Sequence, residues 1–166
     1  FANSGMVVTV EEANWLHLRQ QHGALAALEF QKQVEQKAFS ATGSIQAPAQ
    51  RMEDFIQKKK SSSLPRTSYL PGITSVPLDA VLPDFISKSL RQAMIDFGKK
   101  MKGYRTNEAV LVGVESRTSS PVRIPRSKET LRHPQISNLF PCGEGAGYAG
   151  GIVSAAMDGM ACANAI

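Results

Sequence analysis

The feature that most constrains this chain is its carboxyl-terminal segment, LFPCGEGAGYAGGIVSAAMDGMACANAI, residues 139–166. Six glycines fall within it, Glu144 sits among them, and the residues beyond Gly151 are mostly small and apolar. A packed core wants bulk, and this segment avoids it. Glycine reaches backbone conformations that other residues resist, and it lets amide groups approach a neighbour with no Cβ in the way. The residue types predict a short buried strand over Leu139–Cys142, a glycine loop, and a helix of small residues from Ile152 to Ile166.

A strand, glycine loop and helix in that order can hold a phosphate or a polar cofactor. The helix start carries unpaired N–H groups and partial positive charge, which favour an anion or a polarised carbonyl. Glu144 can accept hydrogen bonds from sugar or ribityl hydroxyls. Ser154, Ala155, Ala156 and Gly159 let the helix pack closely against a sheet or a flat ring. A glycine-rich turn with a close-packed helix and no ligand is the plainer alternative. The segment is not the dinucleotide fingerprint, which needs an acidic residue about 20 positions onward.

Upstream, Met6–Val10 is apolar and β-branched, which predicts a strand. Ala27, Phe30, Val34 and Ala38 recur at helical spacing between Ala24 and Thr42, with Gly43 as a stop. A second helix is expected to begin near Pro48, carrying Met52, Phe55 and Ile56. Residues 57–72, QKKKSSSLPRTSYLPG, read as a loop. PLDAVLPDF suggests a short helical turn. From Asp84 to Met101, Ile86, Leu90, Met94, Phe97 and Met101 form one stripe. Beyond Gly103 two β segments are expected, Ala109–Val114 and Val122–Ile124, around a polar turn. The expected division is therefore a mostly helical part over 1–105 and a strand–loop–helix part over 106–166.

That turn, ESRTSSPVRIPR, gathers Arg117, Arg123 and Arg126 with Thr118, Ser119 and Ser120. Guanidinium groups beside hydroxyls suit a carboxylate or phosphate, although a solvated hairpin turn has the same composition. His17, His22 and His133 are scattered and suggest no catalytic set. Cys142 adjoins the glycine loop, where a thiol could be redox-active, but a buried inert thiol is the commoner outcome. Two cysteines make neither a disulfide framework nor a metal cluster, so no metal is expected and a reducing cytoplasm is the default.

The net charge of +5 fits an anionic small molecule and does not argue for nucleic acid. No apolar run approaches the roughly 18 residues of a membrane span. The chain opens FANSGMVVTV without an initiator Met, which suggests that an amino-terminal part of the same protein precedes it.

Three segments together resemble a known family: ALEFQKQVEQKAF…APAQRMEDF, then AVLVGVESRTSSPVRIPR (Ala109–Arg126), then NLFPCGEGAGYAGGIVSAAMDGMACANAI. They are similar to FAD-dependent dehydrogenases, or NAD(P)/FAD-dependent oxidoreductases, of the two-dinucleotide-binding flavoprotein superfamily. The resemblance implies an α+β fragment. Its helical part belongs to a cap or substrate domain, and its strand–Gly loop–helix part belongs to an FAD-binding domain. It implies FAD in the complete protein and leaves NAD(P)H as a candidate electron donor. Gly143, Glu144 and Gly145 would then lie at the ribityl chain, and Gly150, Gly151 and Ile152 under the pyrimidine side of the flavin. Arg117, Thr118 and Ser119 would face the flavin as candidate catalytic residues for a small, anionic substrate. The glycine fingerprint for the ADP half of FAD is missing, so this piece alone is expected to be inactive. A non-catalytic binding or assembly module that keeps the loop as a packing device is the competing expectation.

Overall fold

Short helices and three strands alternate with long connections in the computed structural model, which describes residues 1–166. The chain divides into two compact units. Residues 1–11 and 32–114 make the first, and residues 12–31 and 115–166 make the second. Helices α1 (Glu12–Trp15) and α2 (Arg19–His22) alternate with two single 3-10 turns. Helix α3 (Ala26–Thr42) follows, and Gly43 ends it with a φ of 63°, which a side chain resists.

Strand β1 (Ala47–Arg51) is the centre of a three-stranded mixed sheet of order β2-β1-β3. It runs parallel to β2 (Ile73–Ser75) and antiparallel to β3 (Val110–Val112). Helix α4 (Met52–Ile56) leaves β1 directly, and α5 (Asp84–Lys100) begins after Pro83. The core of this unit is Met52, Phe55, Leu78 and Met94, with Leu90, Ile56, Tyr104 and Leu111 packed around it. So α4, α5 and the 3-10 turn Leu78–Ala80 share one apolar cluster with the sheet.

Most buried polar groups inside this unit are paired, as burial requires, the Ser87 hydroxyl being the exception. Gln50 donates to the Lys59 carbonyl at 2.6 Å and accepts the Leu78 N–H at 2.8 Å. Ser61 accepts the Arg51 N–H and donates to Asp54. Arg91 lies over the Phe55 ring at 4.7 Å and forks onto both oxygens of Asp79. The Gln50–Lys59 and Ser61 bonds fasten the 57–72 connection, which carries no helix or strand of its own, to β1 and α4.

Several expectations from the sequence are corrected here. Met6–Val10 forms no ladder, and Val7 and Val10 are exposed. Pro48 lies in β1 rather than at a helix start. It is tolerated there because only its carbonyl is used at that edge, accepting the Gly113 N–H at 3.0 Å where the pairing with β3 ends. Val122–Ile124 and Leu139–Cys142 are not strands, so the loop and helix of the second unit follow an unpaired segment. Helix α6 (Ile152–Asn164) forms as expected. The architecture is α+β.

Candidate functional site

The glycine segment belongs to the second unit, where three pieces of chain are tied together. The centre of the tie is Arg126. Its guanidinium forks onto Asp158 of α6, with NH2 to Oδ1 at 2.6 Å and NH1 to Oδ2 at 2.9 Å. The same NH1 reaches the Pro141 carbonyl at 2.8 Å and the Cys162 sulfur at 3.2 Å. Asp158 also accepts the Gly143 N–H at 2.8 Å. Both side chains of the pair are largely buried. The bonds from Arg126, and secondarily the Gly143 amide, hold the Asp158 carboxyl below the usual carboxylate range. Asp158 in turn pushes the Arg126 guanidinium further up.

Tyr148 completes the tie. Its ring lies 3.7 Å from the Arg126 guanidinium carbon and 4.3 Å from that of Arg123. Its hydroxyl donates to the Ile124 carbonyl at 2.9 Å. Stacked cations and a hydrogen bond together hold the ring in place. Ser120 donates to the Gly145 carbonyl at 3.2 Å, and Ile124 donates its N–H to the Ala146 carbonyl. The arginine and hydroxyl turn is thus joined to the glycine loop, although its partners were not legible as such.

The loop glycines fall into two groups. Gly143 (φ 71°) and Gly147 (φ 82°) are left-handed, and a Cβ on Gly147 would stand 2.7 Å from the Val122 carbonyl oxygen. The chain's own geometry demands glycine at these two positions. Gly145, Gly150 and Gly151 differ. None has a left-handed φ, and all three are exposed. A Cβ on Gly145 or Gly150 would meet nothing within 4 Å, and one on Gly151 would make only an ordinary contact with Ser154 at 3.7 Å. Neither packing nor backbone conformation within the chain explains why these residues lack side chains. The bare backbone of Gly150 and Gly151 is open at the start of α6, and that of Gly145 is open on the loop.

That helix starts at Gly151, and its first backbone bond runs from the Ala155 N–H to the Gly151 carbonyl. The preceding amides of the first turn belong to Ile152, Val153 and Ser154, at the positive end of the helix. Ile152 is 92% exposed there. Glu144 is half-buried, and its carbonyl accepts the Gly147 N–H at 2.9 Å in the turn of the loop. Bare amides and a helix start are donors, and the Glu144 carboxylate is an acceptor.

The other sequence-predicted residues lie at a bend. Arg117, Thr118 and Ser119 are exposed, with the bend at Thr118–Ser119. Of the three arginines in this turn, Arg126 is committed to an internal ion pair and not presented to a ligand. Asp158 carries little sequence signal of this role. A lone acid in a helix of small residues suggests a solvent-facing position, and the only hint was its place seven residues after Gly151 on the side of α6 that also carries Cys162. Cys142 is exposed rather than buried, and Cys162 is the buried thiol.

Two comparisons bear on this arrangement. Residues 1–118 match the family described as FAD-dependent protein, C-terminal domain-like. That match ends within the arginine and hydroxyl turn, so the glycine segment lies beyond it. An uncharacterized protein of Clostridium beijerinckii is 40% identical over 162 residues, covering 96% of this chain. The chain spans 30% of the length of that curated relative. No helix is long and apolar enough to cross a membrane. With most of its length matched, the chain belongs to the FAD-dependent protein, C-terminal domain-like family.

Proposed function

We propose that this chain supplies the ribityl and isoalloxazine side of an FAD site, and part of the substrate domain, in an FAD-dependent oxidoreductase. The observation that carries this is the set of unexplained glycines, Gly145 on the loop and Gly150 and Gly151 at the start of α6, whose missing side chains leave open space. When bound, FAD supplies the hydride and electron transfer. Glu144 would accept hydrogen bonds from the ribityl hydroxyls. The backbone at Gly150, Gly151 and Ile152 would face the pyrimidine edge, where first-turn amides favour negative charge. Gly143 positions Glu144 beside the Asp158 clamp through its own N–H. Arg117, Thr118 and Ser119 would contact a small anionic substrate, and NAD(P)H is the candidate electron donor.

Substitution in the complete protein separates cofactor binding from folding. Gly150→Val fills space that no atom of this chain occupies, so the melting temperature should hold while bound FAD falls. Glu144→Ala should likewise lower FAD retention. Unchanged flavin content in both variants would refute the proposed berth and favour a non-catalytic module.

A further inference from the structure

The two cysteines, 20 positions apart in sequence, meet in the second unit. Cys162 lies in the last turn of α6, with its Sγ 3.9 Å from the Pro141 carbonyl oxygen. Cys142 is the residue bonded to that carbonyl, so the fold sets the end of α6 directly against the Cys142 backbone. Arg126 donates to the Cys162 sulfur at 3.2 Å, so a cation stands ready where negative charge would form. Cys142 is exposed while Cys162 is buried. One thiol can therefore meet a reagent from solvent, and the other is shielded from it.

We propose that Cys142 and Cys162 are a reversible dithiol–disulfide pair that fastens the start of the glycine loop to the end of α6. The oxidant is a low-molecular-weight disulfide. Cys142 gives up its proton to water and attacks that disulfide, forming a mixed disulfide and releasing one small thiolate. Cys162 then loses its proton, attacks the Cys142 sulfur and displaces the second small thiolate. Two protein thiols lose two electrons, and one small disulfide is reduced to two thiols. Burial, the largest influence, pushes the Cys162 thiol up in pKa; Arg126 opposes this, while Asp158 and Cys142 add to it. The order of attack follows, since a thiol held protonated is a poor first nucleophile. The device needs no flavin.

The test uses the full chain, reduced, freed of reductant and incubated with oxidised glutathione. The expected products are a Cys142–Cys162 peptide pair in an unreduced digest, loss of both free thiols and no retained glutathione. Cys162→Ser should keep glutathione on Cys142 as a stable mixed disulfide. Cys142→Ser should leave a thiol that reacts at least tenfold more slowly than the first thiol of the wild type. Three outcomes overturn the pair: wild-type protein that retains glutathione on Cys142, bonds formed only between chains, or a Cys142→Ser thiol that reacts as fast as the wild type. The wild-type digest decides the pairing even if a variant misfolds.

Discussion

Replacing Asp158 by alanine removes the acceptor of three hydrogen bonds at once, two from Arg126 and one from the Gly143 amide. Solvated surface ion pairs contribute only about 0.2–1 kcal/mol. Removing one partner of a buried pair costs about 3–5 kcal/mol, because the other charge stays buried alone. The side chains here are 11% and 15% exposed, so some water reaches them. The expected loss is about 2–4 kcal/mol, between those cases. Urea unfolding of the full chain followed by fluorescence measures it. The single tryptophan, Trp15, belongs to the same unit as the pair. A cycle with Arg126→Met should give a double variant markedly less destabilised than the sum of the singles. A loss under about 0.5 kcal/mol would place the pair among ordinary surface contacts and refute the idea that it ties the unit together.

Three further outcomes follow from the same structure. Because the Asp158 carboxyl is lowered, chiefly by Arg126, its contribution is present above the unfolded carboxylate value of about 3.9 and is lost as pH falls through the lower folded value. The stability gap between wild type and Asp158→Asn, read by urea midpoint, should therefore hold at neutral pH and shrink below about pH 4. Gly147→Ala combines a φ of 82° with a Cβ 2.7 Å from a backbone oxygen. It should cost about 2 kcal/mol or more in thermal unfolding. Phe55→Ala empties a fully buried position in the other unit and should cost about 3–5 kcal/mol, read by denaturant unfolding.

Helices α3 and α5 were legible because their apolar residues recur on one side and their ends carry plain stops and starts, Gly43 after the one and Pro83 before the other. Strand β1 was not legible. Its residues, APAQR, have little intrinsic preference for a strand, and Pro48 has the look of a helix start. The sheet forms because β2 and β3 approach from distant sequence, and tertiary pairing overrides propensity. Met6–Val10 errs in the other direction: β-branched residues alone do not make a strand without a partner edge. In the second unit the glycine loop and α6 were visible from composition. The Arg126–Asp158 fork and the clamped Tyr148 were not, because a long-range pair leaves no periodic trace. The same holds for the difference between glycines required by backbone and glycines left bare, which depends on φ and on neighbours distant in sequence.

The most direct measurement is the flavin content of the purified complete protein, from its visible absorbance and the cofactor released on denaturation. A berth built from Glu144 and the bare backbone at Gly145, Gly150 and Gly151 predicts stoichiometric FAD. A colourless protein that takes up no added FAD would contradict it.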